Sequence, residues 1–171
     1  MGWERELHEA VVTKNLMRVH EILDDPIVLK EFTEKKIWKP AVLQCPLHQA
    51  AYQGDIGTLK VLLDYGANVN GILDIPSRPP IKMSILHGAV ICNEVETVRY
   101  LLHRGADVTI QGTYVDQDSV SGKITKLDGS PLSFARAAKT QAIVDILEEH
   151  FFKNGNLRLA MDFDHGPMDS T

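Results

Sequence analysis

The sequence predicts an all-α fold, in which helix-turn-helix units stack into a solenoid and β-hairpin-like fingers join them. Three observations support this fold: a motif recurs along the chain, its apolar residues follow helical spacing, and long links separate its copies. At 171 residues the chain is long enough for one domain. We expect that domain to span residues 1–155 and to be followed by a partly disordered tail over residues 156–171.

The recurring motif is clearest in the middle of the chain. Pro46-Leu47-His48-Gln49-Ala50 aligns with Ile85-Leu86-His87-Gly88-Ala89, and Gly66-Ala67 aligns with Gly105-Ala106. Both alignments have one offset, since 86 − 47 and 105 − 66 both equal 39. Chance does not keep a single register over so many positions, so these two segments are predicted to be repeats of one structural unit.

Two weaker copies of the motif open at Leu7 and Leu132. Both depart from the pattern: the first has Asp25-Pro26 in place of the Gly-Ala turn, and the last has Arg136 and Glu148 where its neighbours are apolar. The end units of a repeat array meet water on one face, so we interpret these departures as caps. A loosely folded last unit is the alternative. The motif thus predicts four units, near residues 4–25, 45–70, 84–109 and 129–152.

Each unit is expected to contain two short antiparallel helices. In the second unit Leu47, Ala50 and Ala51 share one helical face, and small alanines let the two helices approach closely. Gly54 then suits a helix stop, and Asp55 suits the N-cap of the next helix. Because one unit cannot bury its apolar face alone, stability is expected to come from the stacking of neighbours.

The motif and its closing Gly-Ala resemble the ankyrin-repeat family, whose mark is a T-P-L-H-x-A opening. The resemblance covers roughly Leu7 to His150 and implies a helix-turn-helix solenoid that binds other proteins. It also implies that His8, His48 and His87 form hydrogen bonds in the turns between repeats. These histidines lie one repeat apart, about 10 Å for packed helices. That distance is too long for them to share a metal ion.

The links between units are longer than the family period of about 33 residues requires. The first, residues 26–44, mixes apolar and charged residues and is predicted to be partly helical. The second contains prolines over residues 76–80, which favour a stiff loop over a polyproline ligand. The third, residues 110–129, alternates polar and apolar residues and predicts a long β-hairpin. Trp38 and Tyr114 are the candidate contact residues in these fingers, although drift in tolerant surface loops explains the insertions equally well.

The resemblance also points to a binding surface, because ankyrin proteins often bind through the two positions just before the inter-helix turn. In the four units these positions hold Val12, Thr13, Tyr52, Gln53, Ile91, Cys92, Ala137 and Ala138. The set is uncharged and partly apolar, and exposed apolar patches often mark interaction sites. The alternative is that a long finger covers them. Cys92 has no neighbouring cation in sequence to lower its pKa, which favours an inert thiol over a reactive one.

Composition narrows the function classes. A net charge of −5 argues against non-specific nucleic-acid binding, which needs a basic surface. No apolar run approaches the roughly 20 residues of a membrane helix, and the first residues do not have the pattern of a signal peptide. We therefore expect the protein to be located in the cytoplasm, with the nucleus as a further possible location. No phosphate loop, nucleophile elbow or metal-ligand cluster is present in the sequence. We therefore expect no enzyme activity, no cofactor and no metal.

The function predicted from these features is non-catalytic. We expect a protein–protein interaction module that acts as an adaptor, scaffold or inhibitor through its concave surface and fingers, and that is a monomer on its own. The alternative is a regulatory subunit, or the intracellular ankyrin region of a larger signalling or channel assembly. A faint resemblance of Pro131-Leu132-Ser133-Phe134-Ala135 to the ankyrin domains of vanilloid-type channels supports that alternative.

Overall fold

The fold is seen in a computed structural model that describes residues 2–34, 37–38, 45–76, 80–117 and 124–153. Within these ranges the chain forms nine helices and five strands. The helices are α1 (Trp3–Val12), α2 (Leu16–Leu23), α3 (Pro26–Glu34), α4 (Pro46–Tyr52), α5 (Ile56–Asp64), α6 (Ile85–Ile91), α7 (Val95–His103), α8 (Pro131–Ala137) and α9 (Gln141–Lys153). The strands are β1 (Ile37–Trp38), β2 (Ile72–Ile75), β3 (Ile81–Ser84), β4 (Gly112–Gln117) and β5 (Ile124–Gly129).

Eight of these helices form four antiparallel pairs: α1 with α2, α4 with α5, α6 with α7, and α8 with α9. We call the first helix of each pair the inner helix and the second the outer helix. The inner helices stack in the order α1, α4, α6, α8. One apolar cluster, which runs from Leu7 in α1 to Phe151 in α9, fills the space between them. Ala50, Ala51 and Ala89 are completely buried there, as close helix packing requires. The predicted helix-turn-helix stack is confirmed.

The turn between the two helices has one backbone geometry in all four pairs. After the C-cap of the inner helix, one residue adopts a positive φ between 54° and 62°; these residues are Lys14, Gly54, Asn93 and Lys139. Two backbone hydrogen bonds then close the turn, as from Asp55 N–H to Ala50 O (3.0 Å) and from Gly54 N–H to Ala51 O (3.2 Å). This pattern is a Schellman motif. The side chain of Asp55 caps the outer helix by accepting from Thr58 N–H, as the sequence predicted.

The first link is partly helical, as predicted, and its helix α3 packs against the first unit. Phe32 is buried, and its ring meets the ring of Trp3 edge to face, with centroids 6.2 Å apart. Trp3 Nε1 donates a hydrogen bond to Glu31 at 2.7 Å. The insertion therefore covers apolar surface of the first unit. Trp38 ends β1, but its side chain lies outside the described part of the chain.

The fingers pair with one another into a five-stranded sheet in the order β1-β2-β3-β4-β5. The β1–β2 pair is parallel, and the other three pairs are antiparallel. The predicted hairpin of the third link is confirmed, because β4 and β5 pair from Gly112↔Gly129 to Gln117↔Ile124. The label all-α fits the helix pairs but omits this sheet. Stacking brings successive fingers side by side, and Lys82 of one finger thereby pairs with Thr113 of the next.

The two departures from the motif in the last unit meet each other in space. Arg136 on α8 and Glu148 on α9 form an ion pair with an N–O distance of 2.9 Å. The equivalent residues of the second unit, Ala51 and Leu63, are buried in the core cluster. The ion pair thus replaces an apolar contact where no further unit is described. Ala135 is fully buried between these helices, so the last unit is packed like the others.

Three sequence predictions fall wholly or partly outside the described residues. Residues 77–79 are not described, so the proline-rich link is seen only at Pro76 and Pro80. Residues 118–123, which connect β4 to β5 in the third link, are not described either. The predicted tail over residues 156–171 also lies outside the described ranges.

Candidate functional site

His48 connects its inner helix to the finger that follows. Its Nε2 lies 3.1 Å from the carbonyl oxygen of Met83 in β3, and its Nδ1 lies 3.0 Å from Cys45 Sγ. A carbonyl oxygen only accepts, so Nε2 carries the proton and Nδ1 accepts from the thiol. Burial lowers the pKa of His48 from 6.5 to about 4, which keeps the ring neutral in this arrangement.

His87 makes the equivalent connection one repeat later. Its Nε2 donates to Gly129 O in β5 at 3.1 Å, while Nδ1 accepts from Ser84 Oγ at 2.8 Å. Burial lowers the pKa of His87 to about 4. Gly112 leaves room for the ring, because a Cβ there would lie 2.8 Å from Nε2. The two histidines therefore join inner helices to the strands of the next finger, in the links between repeats where the resemblance placed their hydrogen bonds.

His8 occupies the same position in the first unit but has a different environment. It is half-buried, and within the described part of the chain its buried Nδ1 atom has no hydrogen-bond partner. Burial lowers its pKa. The helix α1 begins one turn earlier than the other inner helices, so the residue equivalent to Cys45 is Arg5, inside the helix. The three histidines thus have a shared position but not a shared hydrogen-bonding pattern.

The eight predicted binding residues lie at equivalent places, which we call the stripe. In each unit one is the last residue of the inner helix and the other is its C-cap. The end members are exposed (Val12, Thr13, Ala137 and Ala138), and the middle members are half-buried (Tyr52, Gln53, Ile91 and Cys92). Strands β3 and β5 lead into the opposite, N-terminal ends of the inner helices. The described finger strands therefore join the stack at the end away from the stripe.

Two contacts hold the middle of the stripe in place. The Tyr52 ring lies over Gly88 of the next inner helix, where a Cβ would be 3.5 Å from Cδ2 of the ring. Gln53 Nε2 donates to the carbonyl oxygen of Val12 at 3.4 Å, which links the first two units. The Oε1 atom of the same Gln53 side chain is buried and has no hydrogen-bond partner among the described residues. A buried acceptor without a donor lowers the stability of the folded protein.

Cys92 has the environment of an inert thiol. Burial, and to a lesser degree the negative charge of Glu94, raises the pKa of its thiol. A thiolate is the reactive form, so a raised pKa disfavours nucleophilic chemistry at this position. Cys92 therefore contributes to the stripe as a small apolar side chain.

A second apolar row beside the stripe was missed in the sequence. Leu16, Ile56 and Val95 begin the outer helices, each four residues after a stripe residue. Leu16 is exposed, and the other two are half-buried. The repeat offset that aligned the inner helices could have revealed this row. Together with Val12, Tyr52 and Ile91 it forms a two-row apolar band across three units.

The two predicted finger contacts lie apart from the stripe. Tyr114 is half-buried on β4, opposite Leu127 of β5, and packs against the core cluster. The backbone of Trp38 is in β1, an edge strand three positions away from β4 in the sheet. The structure thus brings the eight stripe residues together and assigns the finger residues to a separate element.

Within the described ranges, no group of three or more His, Cys, Asp and Glu residues could hold a metal ion. None of the helices in that part of the chain is long and apolar enough to cross a membrane.

Comparison with known proteins agrees with the repeat geometry. A family model of ankyrin repeats, in three copies, matches residues 7–112. The chain belongs to the ankyrin-repeat family. The match covers the first three helix pairs, and α8 and α9 extend the ankyrin stack beyond it. Ankyrin repeats support a protein-interaction module as the general function.

Several curated proteins share this ankyrin sequence over part of their length. Palmitoyltransferase AKR1 of Lachancea kluyveri is 32% identical over 144 residues, or 83% of this chain and 17% of that protein. Human BCL-6 corepressor-like protein 1 is 38% identical over 43% of this chain and 4% of its own length. Palmitoyltransferase AKR1 of Naumovozyma castellii is 39% identical over 36% of this chain and 7% of its own length. The chain thus spans less than a fifth of each of these relatives.

Proposed function

We propose that this chain is a non-catalytic protein–protein interaction module that acts as an adaptor, scaffold or inhibitor. The observation that supports this best is the stripe: four inner helices place eight uncharged residues in equivalent positions along one row. Val12 is 43% exposed at one end of the row, and Ala137 and Ala138 are exposed at the other. A partner that covered this row would remove apolar surface from water without the need to desolvate a charge.

Tyr52 is the proposed anchor of the interface. Aromatic residues contribute strongly to protein interfaces because they bury a large area with few rotatable bonds. The ring is supported from below by the Gly88 backbone, so its position is set before a partner arrives. The finger residues Trp38 and Tyr114 are proposed as secondary contacts.

The remaining features of this proposal follow from the sequence. The chain would have no enzyme activity, no cofactor and no metal, and its partner would be a protein rather than a nucleic acid. It would act in the cytoplasm or the nucleus and be a monomer on its own. Residues 1–155 would form one repeat domain, with residues 156–171 as a tail.

A double substitution in the stripe tests the proposal. We expect Tyr52→Ala with Ile91→Arg to abolish capture of the protein that the wild-type chain enriches from its native cell. The first change removes the anchor, and the second places a charge in the apolar row. Affinity purification read by quantitative mass spectrometry measures this, and helical circular dichroism checks that both proteins are folded.

Ile27→Arg is the matched control, because Ile27 is 72% exposed on α3 and lies outside the stripe. It introduces the same charge and should leave capture unchanged. Equal enrichment by the double variant and the wild type would move the binding site to the fingers. Loss of the protein with Ile27→Arg as well would assign the effect to charge rather than to the stripe.

A second candidate is that the chain acts as the ankyrin region of a larger signalling or channel assembly, or as its regulatory subunit. The relatives favour it, because each of them is several times longer than the matched segment. Under this proposal the stripe would bind another part of the same assembly. Size-exclusion chromatography of native lysate separates the two: an adaptor would run with variable partners, and a subunit would run in one large complex.

A further inference from the structure

The outer helices are joined near their C-terminal ends by polar side chains. At the first junction, between α2 and α5, Tyr65 OH donates to Asp24 at 2.7 Å. His20 Nδ1 lies 2.9 Å from the same hydroxyl, and the rings of His20 and Tyr65 are in tilted contact. These three side chains close the space between the two helices.

The second junction, between α5 and α7, is closed in a similar way. Arg104 reaches back to Asp64 with an N–O distance of 2.9 Å. The same Nη1 atom donates to Tyr100 OH at 2.7 Å. A charged side chain thus again bridges two successive outer helices.

The third junction, between α7 and α9, contains an open groove of about 300 Å³. Arg99, Leu102 and His103 line one wall, and their i, i+3, i+4 spacing puts them on one face of α7. The other wall has the same spacing on α9, with Ile146, Glu149, His150 and Lys153. Leu102 and Ile146 are nearly buried and form the floor. The α9 helix is four residues longer than α7, so its last turn extends this wall.

Arg99 and Lys153 place two positive charges on the walls of this groove, against one negative charge from Glu149, although the whole chain has a net charge of −5. Basic residues in the last turn of a helix also complement its dipole, which accounts for His103 and Lys153. Arg99 lies in the middle of α7 and has no such explanation. Of the described residues that line the groove, Glu149 is the acidic one, and it pairs with Lys153 at 2.6 Å. The positive charge of Arg99 also contributes to the lowered pKa of the Glu149 carboxyl, after the effect of Lys153.

We propose that this outer groove binds an acidic peptide segment of a partner protein, independently of the stripe. A ligand carboxylate would take the place of Glu149 beside Arg99 and Lys153, while the aliphatic part of the ligand side chain would contact Leu102 and Ile146. Arginine and lysine side chains bind carboxylates through charge-assisted hydrogen bonds. Glu149 then competes with the ligand carboxylate for Arg99 and Lys153. Removal of the Glu149 charge should therefore strengthen binding.

The test uses the full chain and a fluorescein-labelled peptide that alternates Glu with Ser, read by fluorescence anisotropy. We expect Arg99→Glu to weaken binding by about 5-fold or more, since an attraction becomes a repulsion. Glu149→Gln should strengthen binding by about 2- to 5-fold, the range of one partly exposed ion pair. A peptide with Gln in place of Glu should not bind.

Lys30→Glu is the matched control, because it changes the net charge of the protein by the same amount as Arg99→Glu. Lys30 is exposed on α3, in the first link, far along the chain from the groove. It should change the affinity by less than about 2-fold, since salt screens distant surface charges. The proposal is overturned if Lys30→Glu weakens binding as much as Arg99→Glu, or if Glu149→Gln leaves the affinity unchanged. It is equally overturned if the Glu peptide does not bind, or if inorganic phosphate displaces it at equal concentration, which would indicate a phosphate site.

Discussion

Two lysines in this protein hold a backbone conformation that suits glycine better. Lys14 and Lys139 have φ values of 54° and 57° in the inter-helix turns of the first and last units. The second unit has Gly54 in the equivalent place, with a φ of 62°. A residue with a Cβ is less stable in this left-handed region by about 1–2 kcal/mol. The two end units therefore contain strain that the second unit avoids.

Lys139→Gly should stabilise the protein. Relief of the left-handed strain exceeds the extra chain entropy that glycine loses on folding, so the free energy of unfolding should rise by about 0.5–1 kcal/mol. Urea unfolding followed by circular dichroism measures the change. The control is Ala138→Gly, one residue earlier, where φ is −78° and glycine offers no relief. That variant should be less stable than wild type, and a Lys139→Gly protein that unfolds at or below the wild-type midpoint would show that the turn is unstrained.

The repeated motif predicted where individual residues lie in each unit, but it did not predict what surrounds them. It placed all eight stripe residues at equivalent positions and identified Gly54 and Asp55 as stop and cap. It could not show that lysines adopt the same turn geometry, since the sequence signal for that turn is glycine or asparagine. The unpaired Gln53 oxygen depends on neighbours from another unit, which local sequence does not report.

At the scale of elements, His48 and His87 connect the inner helices to the sheet. Each ring is neutral, accepts at Nδ1 from its own N-cap residue and donates from Nε2 to the next finger. A second proton on the ring would remove the acceptor at Nδ1 and place a charge in a buried site. The attachment of the fingers to the helices therefore depends on the protonation state of these two residues.

Stability should fall between pH 6.5 and about 4. Both pKa values are about 4 in the folded protein against 6.5 for an ordinary histidine, so in this range the unfolded chain binds more protons. Stability is complete above pH 6.5 and is lost as the pH falls, by about 1.4 kcal/mol per pH unit for each histidine. Urea midpoints measured at several pH values test this. His87→Asn, which cannot titrate, should reduce the slope, and an unchanged slope would contradict the assignment.

The sheet contains one pairing that the sequence predicted and one that it could not predict. Alternation of polar and apolar residues in the third link was enough to predict the β4–β5 hairpin. The pairing of Lys82 with Thr113 joins two different fingers, and it exists only because stacking brings them together. Patterns within one segment carry no information about such non-local pairs, which is why the label all-α was incomplete.

At the scale of the whole molecule, the two ends of the stack are finished differently. At the first unit the inserted helix α3 covers apolar surface with Phe32. At the last unit a polar pair, Arg136 and Glu148, occupies positions that are buried in the interior units. Capping was predicted from the departures in sequence, but the direct contact between the two departures was not. Their separation of twelve residues gave no local pattern to recognise.

Removal of this polar cap should make the protein self-associate. Arg136→Val with Glu148→Leu would restore the apolar surface that interior units bury against a neighbour. We expect a larger weight-average mass than wild type at equal concentration in sedimentation equilibrium. Gln141→Val with Asp145→Leu is the control, since these exposed residues of α9 form a polar pair elsewhere on the helix. Equal association of both variants would show that added surface hydrophobicity, rather than the end of the stack, is responsible.

The five-stranded sheet has a mechanical consequence. In a solenoid whose units contact one another only through neighbouring helices, each junction between units can bend. Here backbone hydrogen bonds also join successive fingers, at β1–β2 and at β3–β4. Bending any junction away from the sheet would stretch those bonds along with the helix contacts. The sheet thus resists such bending on one side of the stack, so the spacing of Tyr52 and Ile91 depends on the pairing of the fingers as well as on the packing of the helices.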